Sequence, residues 1–171
     1  MFLVSCSVFV SSTERTPDLR FQPGDITLDA GAQTWSSTVQ IPSGCTVHLR
    51  GSSDAGNPGN NSSNATVLLG MGNSLFRVAA SGLLRLVDLT LTTSPNATPA
   101  NSLVAVDSGG SLEAQGCTFK DNDLSRVSGS NGAGIYLAAN ATMSAESCTF
   151  SNLRVARVSF FNAVVESCWM R

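Results

Sequence analysis

The stretch GSLEAQGCTF, residues 110–119, decides how the chain is read, because it recurs as GLLRLVDLTL from Gly82 and as NATMSAESCTF from Asn140, aligning without internal gaps. NAVVESCWM, from Asn162, continues the series. In this register Leu84, Leu112, Met143 and Ala163 correspond, and so do Leu86, Ala114, Ala145 and Val165. Leu89, Cys117, Cys148 and Cys168 form the next set, followed by Leu91, Phe119, Phe150 and Met170. Successive copies are offset by 28, 31 and 20 residues, close to the spacing of stacked repeats. Within a copy the apolar positions step by two, then three, then two. Period two marks a strand with one inward face, and the longer step demands a bend between two short strands.

The pattern extends upstream. NSLFRVAASG from Asn73 resembles NSLVAVDSGG from Asn101, with GAGIYLAAN from Gly132 as a third copy, so that Leu75, Leu103 and Ile135 are expected to start a further strand face. GDITLDAG, STVQIPSG and CTVHLRGSS, beginning at Gly24, Ser37 and Cys45, read as strands broken by Gly or Pro-Ser-Gly turns. Residues 54–64 and 120–133 read as polar excursions where length varies. The expectation is an all-β chain, a right-handed parallel β-helix of about four or five short coils, since a single coil cannot bury its own apolar face. Residues 1–23 form an N-terminal segment or cap and residues 24–171 the helix domain. The given sequence stops at Met170 and Arg171, at the end of the last copy and with no capping sequence, which suggests a piece of a longer solenoid or an open edge suited to end-to-end association.

Composition narrows the class. The 171 residues suit one domain. Charged residues make up 13%, about half the usual share, so the surface must be built from Ser, Thr, Asn and Gly. This texture fits secreted or cell-surface β proteins. The formal net charge of -2 comes from scattered single charges, without a basic stripe for nucleic acid. No apolar run approaches a membrane span, and MFLVSCSVFVSS lacks the basic start of a signal peptide. Five cysteines, at 6, 45, 117, 148 and 168, show no metal-type spacing around the single His48. Cys117, Cys148 and Cys168 share the inward register of Leu89 and read as a buried thiol ladder.

Taken together, IPSGCTVHLRGSS, SLFRVAASGLLRLVDLTLT, SLEAQGCTFKDN and MSAESCTFSNL resemble the pectate-lyase-like right-handed β-helix superfamily, nearest in texture to its non-enzymatic polymorphic outer membrane and adhesin types. The resemblance covers about residues 24–171. Adhesin-type members carry GGAI and FxxN motifs, matched here by Gly132 to Ile135 and by Phe119 to Asn122. In Phe150-Ser151-Asn152 the Asn stands one place early. The resemblance implies export and carbohydrate as the first partner to test.

Catalytic residues do not assemble. Asp121 and Asp123, beside Lys120 and Arg126, are the one dense acidic site, yet they read as a solvated turn more readily than as paired glycosidase carboxyls. The Gly-His-Gly and Arg-x-Lys segments of polygalacturonases are missing. Asp25, Asp29, Asp88, Asp107, Glu113 and Glu146 are too dispersed for a calcium-assisted lyase. Arg77, Arg85 and Arg126 suit contact with acidic sugar, but isolated surface arginines are common. His48 alternates out of the core, with no carboxylate near it in sequence. The sequons at Asn60, Asn61, Asn64, Asn96 and Asn140 permit N-glycosylation. No catalytic residue, cofactor or metal ligand is therefore assigned. The expected function is a non-catalytic structural or surface interaction module for glycan or protein, acting through residues 54–64 and 120–133. The alternative is an incomplete or diverged polysaccharide lyase or glycoside hydrolase. An ice-binding surface is a third reading, which lacks a regular outward threonine array in the sequence.

Overall fold

A computed structural model describes residues 25–52, 65–70, 74–128, 130, 132–155 and 169–170. Those residues form strands and turns with no helix, and so no helix long and apolar enough to cross a membrane. Fifteen strands build three sheets in which every pairing is parallel. The first sheet holds β1 (Asp25–Leu28), β4 (Thr46–Gly51), β7 (Leu83–Val87), β10 (Ser111–Gln115) and β13 (Thr142–Glu146). The second holds β2 (Ala32–Trp35), β5 (Ala65–Leu69), β8 (Leu89–Thr93), β11 (Thr118–Leu124), β14 (Thr149–Val155) and β15 (Trp169–Met170). The third holds β3 (Val39–Ile41), β6 (Phe76–Val78), β9 (Val104–Val106) and β12 (Ile135–Leu137). The chain visits first, second and third sheet in a fixed cycle, completing four circuits from β1 to β12 before β13 and β14.

The aligned residues of the sequence are partners across the strands. Leu84 pairs with Leu112 and Leu112 with Met143; Leu86, Ala114 and Ala145 do the same. Leu91, Phe119, Phe150 and Met170 make the equivalent column in the second sheet. Ala163, Val165 and Cys168 lie outside the described residues. One expected column shifts: Ile135 pairs with Val104, which puts Gly134 level with Leu103. A Cβ on Gly134 would stand 2.8 Å from Leu153 Cδ1, so the space a side chain would need is taken by the core.

Two sets of left-handed residues turn the chain at recurring places. Asp88, Gly116 and Ser147, at φ 54°, 62° and 53°, each separate a first-sheet strand from a second-sheet strand. A single left-handed residue is the three-residue step seen in the sequence, and Gly and Asp are among the residues that bear it best. Gly44, Ser81, Gly109 and Asn140 likewise have positive φ within turns closed by Cys45 N to Pro42 O, Gly82 N to Ala79 O, Gly110 N to Asp107 O and Ala141 N to Ala138 O. Between these corners, alternation sends apolar side chains to one shared interior, and a single cluster runs from Leu28 to Cys148.

The segment after Phe119 is not the loop expected. β11 continues through Lys120 to Leu124, with Asp121 left-handed at φ 55° and Asn122 turned into the core. Asn152 repeats that conformation at φ 52° in β14, so the two strands bend together. Residues 54–64 lie outside the described residues.

Candidate functional site

The acidic pair serves the bend. Asp121 Oδ1 accepts a hydrogen bond of 2.9 Å from Asn152 Nδ2, and Asp121 Oδ2 lies 3.8 Å from Lys120 Nζ. Asp123 Oδ1 accepts the Ser125 backbone N–H at 2.9 Å, and its other oxygen lies 3.8 Å from Arg154. The Ser125 hydrogen bonds, helped by Arg154 and Arg126, hold the Asp123 carboxyl below its ordinary range. Asp123 thus fixes the backbone of the following turn, as turn residues do, while Asp121 links the bends of β11 and β14 side chain to side chain.

His48 has a carboxylate partner that the sequence did not reveal. Asp25, His48, Arg85 and Glu113 are successive partners on the outer face of the first sheet. Asp25 Oδ1 lies 2.7 Å from His48 Nδ1, Arg85 Nη1 lies 3.4 Å from His48 Nε2, and Arg85 Nε donates to Glu113 at 2.6 Å. Arg can only donate, so the roles that fit are Nε2 accepting and Nδ1–H donating to Asp25. The row is an exposed ladder of opposite partners, and cross-strand pairs of this kind stabilise a sheet by about 0.2–1 kcal/mol each.

Cys117 and Cys148 are buried neighbours, and Cys117 O accepts the N–H of Thr149. The hydrogen bond to Cys148, together with burial, pushes the Cys117 thiol far up. Cys117 and Cys148 remain thiols, whereas Cys45 is disulfide-bonded. We expect Cys117 and Cys148 to resist alkylation in the native protein and to react after unfolding; peptide mass spectrometry reads this directly, and native labelling of either would contradict their burial.

On the second sheet, Thr66, Thr90, Thr118 and Thr149 are successive partners, an outward column that the sequence reading did not find. It stays a single column: its neighbour runs Thr34, Leu68, Thr92, Lys120, Ser151, with Thr92 buried. A flat two-dimensional hydroxyl lattice is not formed there.

A cleft of about 540 Å³ lies over the outer face of the third sheet. Gln40, Arg77, Ala105 and Tyr136 stand in one cross-strand column on its floor. Tyr136, 36% accessible, is the one large hydrophobic side chain exposed among the described residues. Between it and Arg77 the small Ala105 leaves a notch two strand spacings wide, about 9.5 Å. Arg77 Nε donates to both carboxylate oxygens of Asp107, at 3.2 and 3.0 Å, and that bond raises the guanidinium above its ordinary range. Asn101, Leu124 and Ser130 also line the cleft. Asn122, wholly buried, donates from Nδ2 to Asn101 O at 3.0 Å and Ala133 O at 2.7 Å, while its Oδ1 accepts from Thr93 at 3.1 Å. One amide thus ties Asn101, which lines the cleft, to Thr93 and Ala133.

The sequence suited Arg77, with Arg85 and Arg126, to acidic sugar but favoured ordinary surface exposure for all three, and it gave no place to Tyr136, whose signal was its alternation with Ile135 and Leu137. Among the described residues no group of three His, Cys, Asp or Glu side chains is close enough to hold a metal ion. No family model, curated protein or solved structure matches this chain.

Proposed function

We propose that the chain is a right-handed parallel β-helix of the pectate-lyase-like superfamily, exported to the cell surface or beyond, acting as a non-catalytic module that binds glycans. The cyclic visiting of three parallel sheets supports the fold. The charged fraction of 13% and the Cys45 disulfide support an oxidising, extracellular setting. The observation that carries the glycan reading is the notch formed by Tyr136, Ala105 and Arg77. A pyranose ring has an apolar C–H face that packs on an aromatic ring, and a rim of hydroxyls that both donate and accept. Tyr136 offers the ring, and Arg77, Asp107 and Gln40 offer the complementary polar groups along the same floor. Sites that bind small molecules combine an apolar surface with a few placed polar groups in this way.

Binding to a glycan panel, measured by calorimetry, tests the reading. Tyr136→Ala is expected to weaken the best ligand about tenfold, equivalent to about 1.4 kcal/mol, with the fold unchanged by circular dichroism. An unaltered affinity would place the site elsewhere. New reducing ends released from polygalacturonate would instead favour the diverged-enzyme alternative.

A further inference from the structure

The charge balance of the cleft carries the reading one step further. Among the described residues lining it, Arg77 and Asp107 are the charged ones, and they are bonded to each other. The guanidinium is therefore already matched at contact by a carboxylate, and the floor presents no net charge. A uronic acid brought to this notch meets Asp107 as a like charge, with Arg77 already committed to that carboxylate. A neutral sugar meets no such conflict: its hydroxyls donate to the Asp107 oxygens and accept from the guanidinium, which carries five N–H donors of which Nε supplies one to Asp107.

We propose that this cleft selects neutral or esterified sugars over free uronic acids, with Asp107 as the specificity-determining residue. The proposal rests on the glycan-binding reading of the same site. Specificity here works by repulsion as much as by attraction, a common means of rejecting an otherwise isosteric ligand. Asp107 opens the turn closed by Gly110 N and Asp107 O, a backbone bond that does not involve its carboxyl, so the charge is removable without opening the turn.

The experiment uses the full chain at low ionic strength, where surface electrostatics are least screened. The probes are oligogalacturonate, the same oligomer as its methyl ester, and a panel of neutral oligosaccharides. The wild type should bind the methyl ester or a neutral oligosaccharide at least tenfold more tightly than the free acid. Asp107→Asn should abolish that preference by releasing Arg77, raising affinity for the acid at least tenfold. Asp107→Asn combined with Arg77→Gln should lose the gain, and circular dichroism establishes that both variants fold. A wild-type preference for the acid, or an unchanged ratio in Asp107→Asn, overturns the selectivity and leaves glycan binding standing. Binding of none of these sugars overturns the glycan reading, and the selectivity falls with it.

Discussion

Phe119→Ala is expected to lower stability by about 3–5 kcal/mol, the range for deleting a buried aromatic side chain. Phe119 is wholly buried, with Leu91 as its partner on one side and Phe150 on the other. Its ring lies 4.9 Å from that of Phe150 at an interplanar angle of 8°, so truncation removes a stacked pair as well as its own buried area. Gly134 borders the same site, where a Cβ would meet Phe150 Cδ1 at 3.5 Å and Phe119 Cβ at 3.7 Å, and it has no side chain to move into the gap. In a structure where each strand touches mainly its neighbours in the stack, the loss is local: β11 and β14 come apart before the strands below them. A urea titration of Phe119→Ala should show a lower midpoint than the wild type and a larger drop than Phe150→Ala, whose ring is only half-buried. Equal midpoints for the two variants would mean that the column is not stacked as described.

The stacked columns were legible because each circuit returns a residue to the same face, and the offsets of 28 and 31 match the pairings of Leu84 with Leu112 and Leu112 with Met143. Even the corner was visible, as the three-residue step now explained by Asp88, Gly116 and Ser147. The first circuits were harder to read. Asp25 and His48 meet across strands whose sequences share no motif, so nothing along the chain set their register. The Lys120–Asp123 segment was misread for a different reason. Asp and Asn signal turns because they tolerate left-handed backbone, but here one left-handed residue bends a strand without ending it. The cleft lay between these extremes. Arg77 aligns with Ala105 at the 28-residue offset, which makes Asp107 a diagonal neighbour, but the loop segments that wall the site have no periodicity to place them.

Asn122→Ala should cost about 2–4 kcal/mol, because a buried polar group stripped of its partner costs about 1–3 kcal/mol and three partners are stripped together. Thr93 loses its acceptor, and the carbonyls of Asn101 and Ala133 lose their donor. The effect should reach the cleft, since the Asn101 side of its wall would no longer be held, and glycan affinity should fall with stability. Asn122→Asp separates hydrogen bonding from volume. The new carboxyl keeps the size of the amide but faces two carbonyl oxygens in a fully buried position. Burial and those oxygens both disfavour its ionised form, so its folded pKa lies above the unfolded value of about 3.9. The neutral acid retains a proton to donate, and the folded state binds that proton more tightly than the unfolded state does. Stability of this variant relative to wild type should therefore be greatest below about pH 4 and fall as pH rises towards neutrality, through the raised pKa. Urea midpoints of the two proteins measured from pH 3 to pH 8 read the difference. A gap that stays constant with pH would place residue 122 in water, and the amide could not then be the tie that shapes the cleft.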